Sequence, residues 1–232
     1  MSKRVGTGLR RRIGLVGASA LAGLSLAGPA AAMSFSLVEV GGARCGGACP
    51  QVIVAEGEIA VDSAERFVEF VKPRIGSGRL RNIVFINSPG GSVLGSIKLG
   101  SVFRKVGSAV VVARAEAGQE VGAAASFTAA RCMSACVYAL MGGKKRIVPP
   151  ASKLGVHRTL TFQYSGKDPA NNDPGYQRIR TPDSLLTTLN AYTRSMGVST
   201  AVIEAAQATP HESIRVLTRQ ELAKWRLGVE KF

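Results

Sequence analysis

Acidic side chains and histidine are in short supply in this chain. Its 232 residues carry 15 carboxylates against 30 lysines and arginines, a formal net charge of +15. Such an excess favours anionic surfaces, among them inner-leaflet lipid, cell-wall polymer and nucleic acid. Basic and aromatic residues do not interleave as they do along a nucleic-acid groove, however, and only Lys144-Lys145-Arg146 forms a cationic run past the N-terminus. The charge therefore reads as a solvated basic surface, and no nucleic acid is expected as partner. Histidine occurs only at His157 and His211, which leaves two positions for imidazole proton transfer near neutral pH. Cys-x-x-Cys knuckles are missing as well. The four cysteines stand as two Cys-x-x-x-Cys pairs, Cys45 with Cys49 and Cys132 with Cys136, a spacing that argues against zinc, so no metal is expected. Past residue 32 there is no long apolar stretch, and neither a repeat nor a low-complexity tract stands out.

What is present begins with an export pattern. Lys3, Arg4 and Arg10 to Arg12 form a cationic start, Ile13 to Leu26 an apolar stretch interrupted by glycines and serines, and Pro29-Ala30-Ala31-Ala32 a small-residue cleavage site. Residues 1–32 read as a signal peptide that is removed, by the general or the twin-arginine route. A membrane anchor is the rival reading, but the stretch is short for spanning. Removal takes the charge from +15 to +10, because five cations and no carboxylate leave with it. About 200 residues remain, enough for one domain with a full core. The mature chain is expected to be periplasmic or extracellular, with no stable membrane insertion. In an oxidising compartment four cysteines default to disulfides. Cβ atoms at i and i+4 of a helix lie about 5–6 Å apart, whereas a disulfide needs roughly 3.5–4.5 Å. Cys132 therefore bonds to Cys136 only if it lies before the helix proper; otherwise one of them reaches the Cys45–Cys49 segment.

Residues 33–50 are rich in glycine and small side chains and read as an extended surface segment, and residues 51–232 as one α/β domain. Val52–Val54 and Glu58–Val61 have strand character, and Asp62 or Ser63 then caps a helix through about Ile75, with Phe67, Phe70 and Val71 on one face. Ile83–Ile86 is hydrophobic throughout and so predicts a strand buried on both faces. Val93–Val106 suits a helix and Ser108–Ala113 a third strand. Strand–helix–strand units imply parallel strands joined by crossovers. Ala115–Arg131 has no clear period and reads as a covering loop, Cys132–Met141 as helix, Lys145–Val148 and Lys153–Thr161 as strand, and Ser165–Asp183 as a turn-rich surface loop. Ser184–Met196, Ser199–Ala206 and Thr218–Leu227 are helical, the last opened by a capping box of Thr218 and Glu221.

The chemistry gathers at three places. In Asn87-Ser88-Pro89-Gly90-Gly91-Ser92 a strand-to-helix turn with glycine at its tip exposes backbone N–H groups, which a developing oxyanion requires. Ser134, between Cys132 and Cys136, opens the next helix as candidate nucleophile, and the N–H of Ala135 would point toward an acyl oxygen. A serine in that position often does no more than cap the helix. His157 ends an apolar strand beside Gly155; its neutral imidazole would accept the serine proton and return it to the leaving group. His211 is a weaker candidate. A thiol nucleophile at Cys132 or Cys136 is the rival if those residues are reduced, and a Ser–Lys dyad would enlist Lys144, Lys145 or Lys153.

With glycine turn, serine and histidine in this order, the stretch from about Gly57 to Val229 resembles the Clp-type serine proteases. The cysteines on both sides of Ser134 make it similar to periplasmic Clp-protease-like proteins. The resemblance implies an α/β fold, a ClpP/crotonase-like spiral of repeated ββα units with a mostly parallel sheet and C-terminal helices. It implies Gly91 N–H as the oxyanion donor beside Ala135, peptides or unfolded segments as substrate, a homo-oligomer, and no cofactor. It also places an aspartate just before the strand Arg215–Thr218, where this chain has Ile214. Glu212, two residues earlier, is therefore assigned as third catalytic member; Asp173, Asp183 and a dyad without an acid stay open. The expected function is an exported serine hydrolase cleaving peptides through an acyl-enzyme on Ser134. The alternative is a catalytically inactive binding or assembly protein on the same fold. Crotonase-like thioester chemistry shares the fold, but export away from coenzyme A pools argues against it.

Overall fold

The computed structural model describes residues 31–41, 45, 49–116, 126–166 and 175–231. Of the export pattern read over residues 1–32, residues 1–30 lie outside the described residues, as do residues 117–125 and the candidate Asp173. In chain order the first half comprises β1 (Ser34–Glu39), β2 (Gln51–Glu56), α1 (Ser63–Val71), β3 (Leu80–Asn87), α2 (Val93–Val106), β4 (Ala109–Val111), β5 (Ala113–Glu116) and β6 (Ser126–Ala129). The second half comprises β7 (Arg131–Met133), α3 (Cys136–Met141), β8 (Lys145–Ile147), β9 (Lys153–Val156), β10 (Thr161–Tyr164), β11 (Tyr176–Ile179), α4 (Asp183–Ser195), α5 (Ala201–Ala208), β12 (Arg215–Val216) and α6 (Arg219–Lys224).

One sheet runs in the order β1-β2-β3-β4-β8, with β1 antiparallel and the other pairs parallel. Its strands alternate between two apolar faces. Ile53, Val84, Ile86 and Val110 join the main core with Phe67 of α1 and Leu99 and Phe103 of α2. Val54, Phe85, Val111 and Ile147 form a smaller cluster on the other side. Burial on both faces is what the unbroken hydrophobicity of Ile83–Ile86 predicts. A second sheet, in the order β12-β9-β7, pairs β7 with β9 in parallel, Cys132 opposite Leu154 and Met133 opposite Gly155. A parallel bridge between Ser88 and Cys132 ties the end of β3 to β7. This is the mixed α/β, largely parallel arrangement that the resemblance implies.

Several expectations are corrected. Cys132 belongs to β7, and the helix starts only at Cys136, because parallel pairing with β9 claims the backbone of residues 131–133. Glu58 and Ile59 make single bridges rather than a strand. Neither Asp62 nor Ser63 caps α1 through its side chain; the Ser63 hydroxyl accepts from Ala60 N–H instead. The stretch expected to cover the site is a hairpin where described, β5 against β6. Its Phe127 stacks on Phe85 with ring centroids 4.1 Å apart, so its apolar side chain is spent on the outer face of the sheet. The Ser165–Asp183 insertion also contains strand, β11, paired with β10. The capping box is formed as expected, the Glu221 carboxylate accepting from Thr218 N–H at 2.8 Å. Among the described residues no helix is long and apolar enough to cross a membrane.

Candidate active site

β3, β7 and β9 run in one direction, so their carboxyl ends fall on one side. Gly90-Gly91 follow the end of β3, Ser134 follows β7 and His157 follows β9. That is where ligands bind in sheets of this kind, because side chains just past the strand ends converge there while their backbones stay fixed. Gly91, Ser134, Ala135 and His157 line one cavity of about 370 Å³, whose wall also includes Tyr138 and Leu185. Tyr138 is buried, and desolvation pushes its hydroxyl up to about 12, against a hydrogen bond from Thr159; it is a neutral group at any working pH.

The glycine turn is held from both sides. Ser88 Oγ accepts from Gly90 N–H at 3.1 Å. Ile59 N–H donates to Gly90 C=O and Ser92 N–H donates to Ile59 C=O, each at 2.7 Å. Those two bonds flank Gly91, so its own N–H points away from Ile59. Gly90 and Gly91 have φ of +113° and +128°, a region that residues with a Cβ rarely occupy. A Cβ on Gly90 would stand 2.8 Å from Ser134 Cβ, so the bare backbone lets the turn press against Ser134. Ser92 Oγ then accepts from Gly95 N–H and caps α2.

Ser134 has φ of +55°, one of two positive values at non-glycine positions among the described residues. That conformation costs about 1–2 kcal/mol and is held by Ser134 N–H donating to Gly155 C=O at 2.7 Å and Val137 N–H donating to Ser134 C=O at 3.1 Å. Ser134 is not the helix cap: α3 begins two residues later, its cap is Ala135, and no side chain caps it. The hydroxyl turns instead to His157, with Nε2 to Oγ at 2.7 Å. Among the described residues neither Gly91 N–H nor Ala135 N–H donates to a protein acceptor. Both residues line the same cavity as Ser134.

His157 Nδ1 lies 2.8 Å from the main-chain oxygen of His211. A carbonyl only accepts, so Nδ1 carries the hydrogen and Nε2 presents its lone pair to the Ser134 hydroxyl. This is the tautomer that base catalysis needs. The His211 ring also packs on His157, centroids 4.5 Å apart. Burial holds His157 below its ordinary value of 6.5; the His211 carbonyl opposes this, the His211 ring adds to it, and Glu212 opposes it. The imidazole is thus largely neutral at pH 7.

Glu212 does not take the place assigned to it. Its carboxylate pairs with Arg178 at 2.6 Å, 64% exposed, and its backbone hydrogen bond and Arg178 hold its pKa below the usual range. Glu212 is drawn outward because a solvated guanidinium is available, while the Nδ1 position is filled by a peptide carbonyl from the same loop. Asp183 opens α4 and lines a neighbouring cavity. Ile214 packs near Gly155, where a Cβ would overlap its side chain. The His211 carbonyl is the functional group that sequence reading missed, since a main-chain acceptor leaves no residue-type signal.

The cysteines close two short loops, Cys45 to Cys49 and Cys132 to Cys136. The second brackets Ser134, joining the last strand residues before it to the first helical residue after it, with both cysteines fully buried. The placement of Cys132 ahead of the helix meets the geometric condition for the bond. Replacing both Cys132 and Cys136 with alanine is expected to cost about 2 kcal/mol from the unfolded-state loop alone. A lower Tm with slower Ser134 acylation, compared in calorimetry and labelling, is the expected result; unchanged labelling would show that the bond does not hold the nucleophile turn.

No protein-family model matches the chain. No curated protein matches it either. Two solved structures are similar across 77% of this chain at 16% identity and a TM-score of 0.47. One is a serine-to-alanine mutant of the 1510-N membrane-bound stomatin-specific protease, covered over 78% of its length. The other is a lysine-to-alanine mutant of that protease in complex with a substrate peptide, covered over 74%.

Proposed function

We propose that the protein is a serine hydrolase that cleaves peptide bonds outside the cytoplasm through an acyl-enzyme on Ser134. One observation carries this reading: the Ser134 hydroxyl lies 2.7 Å from a His157 nitrogen whose partner nitrogen is fixed as donor by the His211 carbonyl. In the forward step the hydroxyl proton passes to His157 Nε2 as Ser134 Oγ bonds to the scissile carbonyl carbon, and the oxyanion accepts from Gly91 and Ala135 N–H. The C–N bond then breaks, and Nε2 gives its proton to the departing amine. Water enters, loses a proton to Nε2 and attacks the ester, and the serine recovers its hydrogen as the acid leaves. Two side chains, the backbone amides and one water supply every group these steps use.

The cationic and apolar leader and the disulfide-bonded cysteines support export with removal of residues 1–32, leaving the 33–50 segment and the 51–232 domain. Self-association belongs to the same proposal, on the strength of the family resemblance. Among the described residues no carboxylate bonds to His157, which favours the one competing reading, a catalytically silent binding protein. A fluorophosphonate probe decides between them: covalent labelling of the oxidised chain that vanishes in Ser134→Ala is expected, and no labelling of folded wild type would leave only the silent reading.

The pH dependence has a definite sign. Only neutral His157 accepts the serine proton, and burial lowers its pKa from 6.5. Labelling is therefore expected to rise with pH along a limb whose midpoint lies under 6.5 and to be level by pH 7.5. A midpoint above 6.5 in a rate–pH profile would contradict the burial argument.

A further inference from the structure

Beside the catalytic cavity lies a second, wider one of about 760 Å³, and the two share Arg158 and Thr159 in their walls. Arg158 directly follows the imidazole of His157, Arg178 belongs to β11, and Arg180 stands two residues further along the same extended chain. Arg178 and Arg180 both line the wall of this cavity. Asp183 is the one carboxylate in that wall among the described residues. Arg178 is paired with Glu212 across an exposed contact. Neither Arg158 nor Arg180 has a carboxylate partner among the described residues. The concave wall thus presents two uncommitted guanidiniums and a third held only by a solvated pair. Guanidinium groups match a carboxylate in charge and in geometry, donating paired N–H bonds to its two oxygens.

We infer that this second cavity is a substrate subsite for a carboxylate on the leaving-group half of the peptide. The inference rests on the hydrolase reading for its orientation. His157 must hand its proton to the departing amine, so that half of the substrate passes over the imidazole and on toward Arg158. The carboxylate has two sources, an aspartate or glutamate side chain or the peptide's own C-terminus, and both carry the same chemistry.

Binding to Ser134→Ala tests this without turnover. Four fluorescein-labelled hexa-alanine peptides are compared by anisotropy, carrying glutamate or glutamine at the penultimate position and ending in a free acid or an amide. The glutamine amide is expected to bind about tenfold more weakly than the glutamate free acid, a difference of roughly 1.4 kcal/mol. The glutamate amide keeps the affinity if the side chain is the source, and the glutamine acid keeps it if the terminus is. Arg158→Gln and Arg180→Gln, each in the Ser134→Ala background, are expected to remove the preference. Arg180→Gln touches neither Ser134 nor His157 and serves if Arg158→Gln does not fold. Lys144→Gln with Lys145→Gln, which removes two cations from a different cavity wall, is expected to keep it. Equal binding of all four peptides, binding by none, or loss of the preference in the lysine variant would overturn the subsite. Fluorophosphonate labelling of the wild type is read in parallel, so failure of the hydrolase reading shows there and failure of the subsite shows in the anisotropy.

Discussion

His157→Gln is expected to slow acylation of Ser134 by roughly 10⁴-fold or more, the scale of losing a base that works as one unit with its nucleophile. Glu212→Gln, by contrast, is expected to stay within about threefold, because an exposed ion pair contributes little and falls to solvent screening. The contrast follows from which oxygen holds the imidazole. His157 Nδ1 donates to the His211 carbonyl at 2.8 Å, and a backbone oxygen survives every side-chain substitution in that loop. A carbonyl orients the ring and selects its tautomer, but it carries less negative charge than a carboxylate and stabilises the imidazolium less. Burial acts in the same direction, lowering the affinity of His157 for its proton. Rates of fluorophosphonate labelling measure both variants. A hundredfold loss in Glu212→Gln would mean that the carboxylate reaches the imidazole in solution, and the carbonyl assignment would be wrong.

Gly91→Ala is expected to lower the acylation rate by about 10²–10³-fold, the effect of displacing one oxyanion donor, and to destabilise the fold by roughly 1–3 kcal/mol. A methyl there would overlap the Ile59 carbonyl and approach Glu58 Cγ. The residue cannot rotate away, because the bonds from Ile59 N–H to Gly90 C=O and from Ser92 N–H to Ile59 C=O hold the chain on either side. The backbone must shift, and the amide shifts with it. Gly76→Ala is the matched control: φ there is +93° with nothing within 4 Å of a new Cβ, so it carries backbone strain without touching the site. Loss of stability in both variants with loss of labelling only in Gly91→Ala is the expected pattern. Equal labelling of Gly91→Ala and wild type would remove Gly91 from the oxyanion role.

Much of the fold was legible because local patterns fixed it. The 3.6-residue period of Val93–Val106, the apolar run Ile83–Ile86 and the Thr218–Glu221 capping box all appear where the sequence predicts them. The reading failed where pairing overrode local preference. Residues 132 and 133 look helical beside Ala135–Met141, yet β9 claims them as strand. Phe127 sits in a stretch with no period, yet stacking on Phe85 makes a hairpin of it. Ser134 and His157 were both readable as residue types, whereas the αL backbone of Ser134 was not, since nothing local to a serine demands positive φ.

By itself, then, the sequence determined the alternation of strand and helix, the glycine pair, and which hydroxyl and imidazole were available, because periodicity and side-chain chemistry are local properties. Only the tertiary structure decided that these groups meet at 2.7 Å, that a peptide carbonyl rather than Glu212 holds the imidazole, and that Cys132 bonds to Cys136 across the Ser134 turn. Those outcomes depend on parallel pairing between segments more than twenty residues apart, and on competition between a solvated arginine and a half-buried imidazole for one carboxylate. Such competition is settled by distance and burial, which a linear chain does not carry.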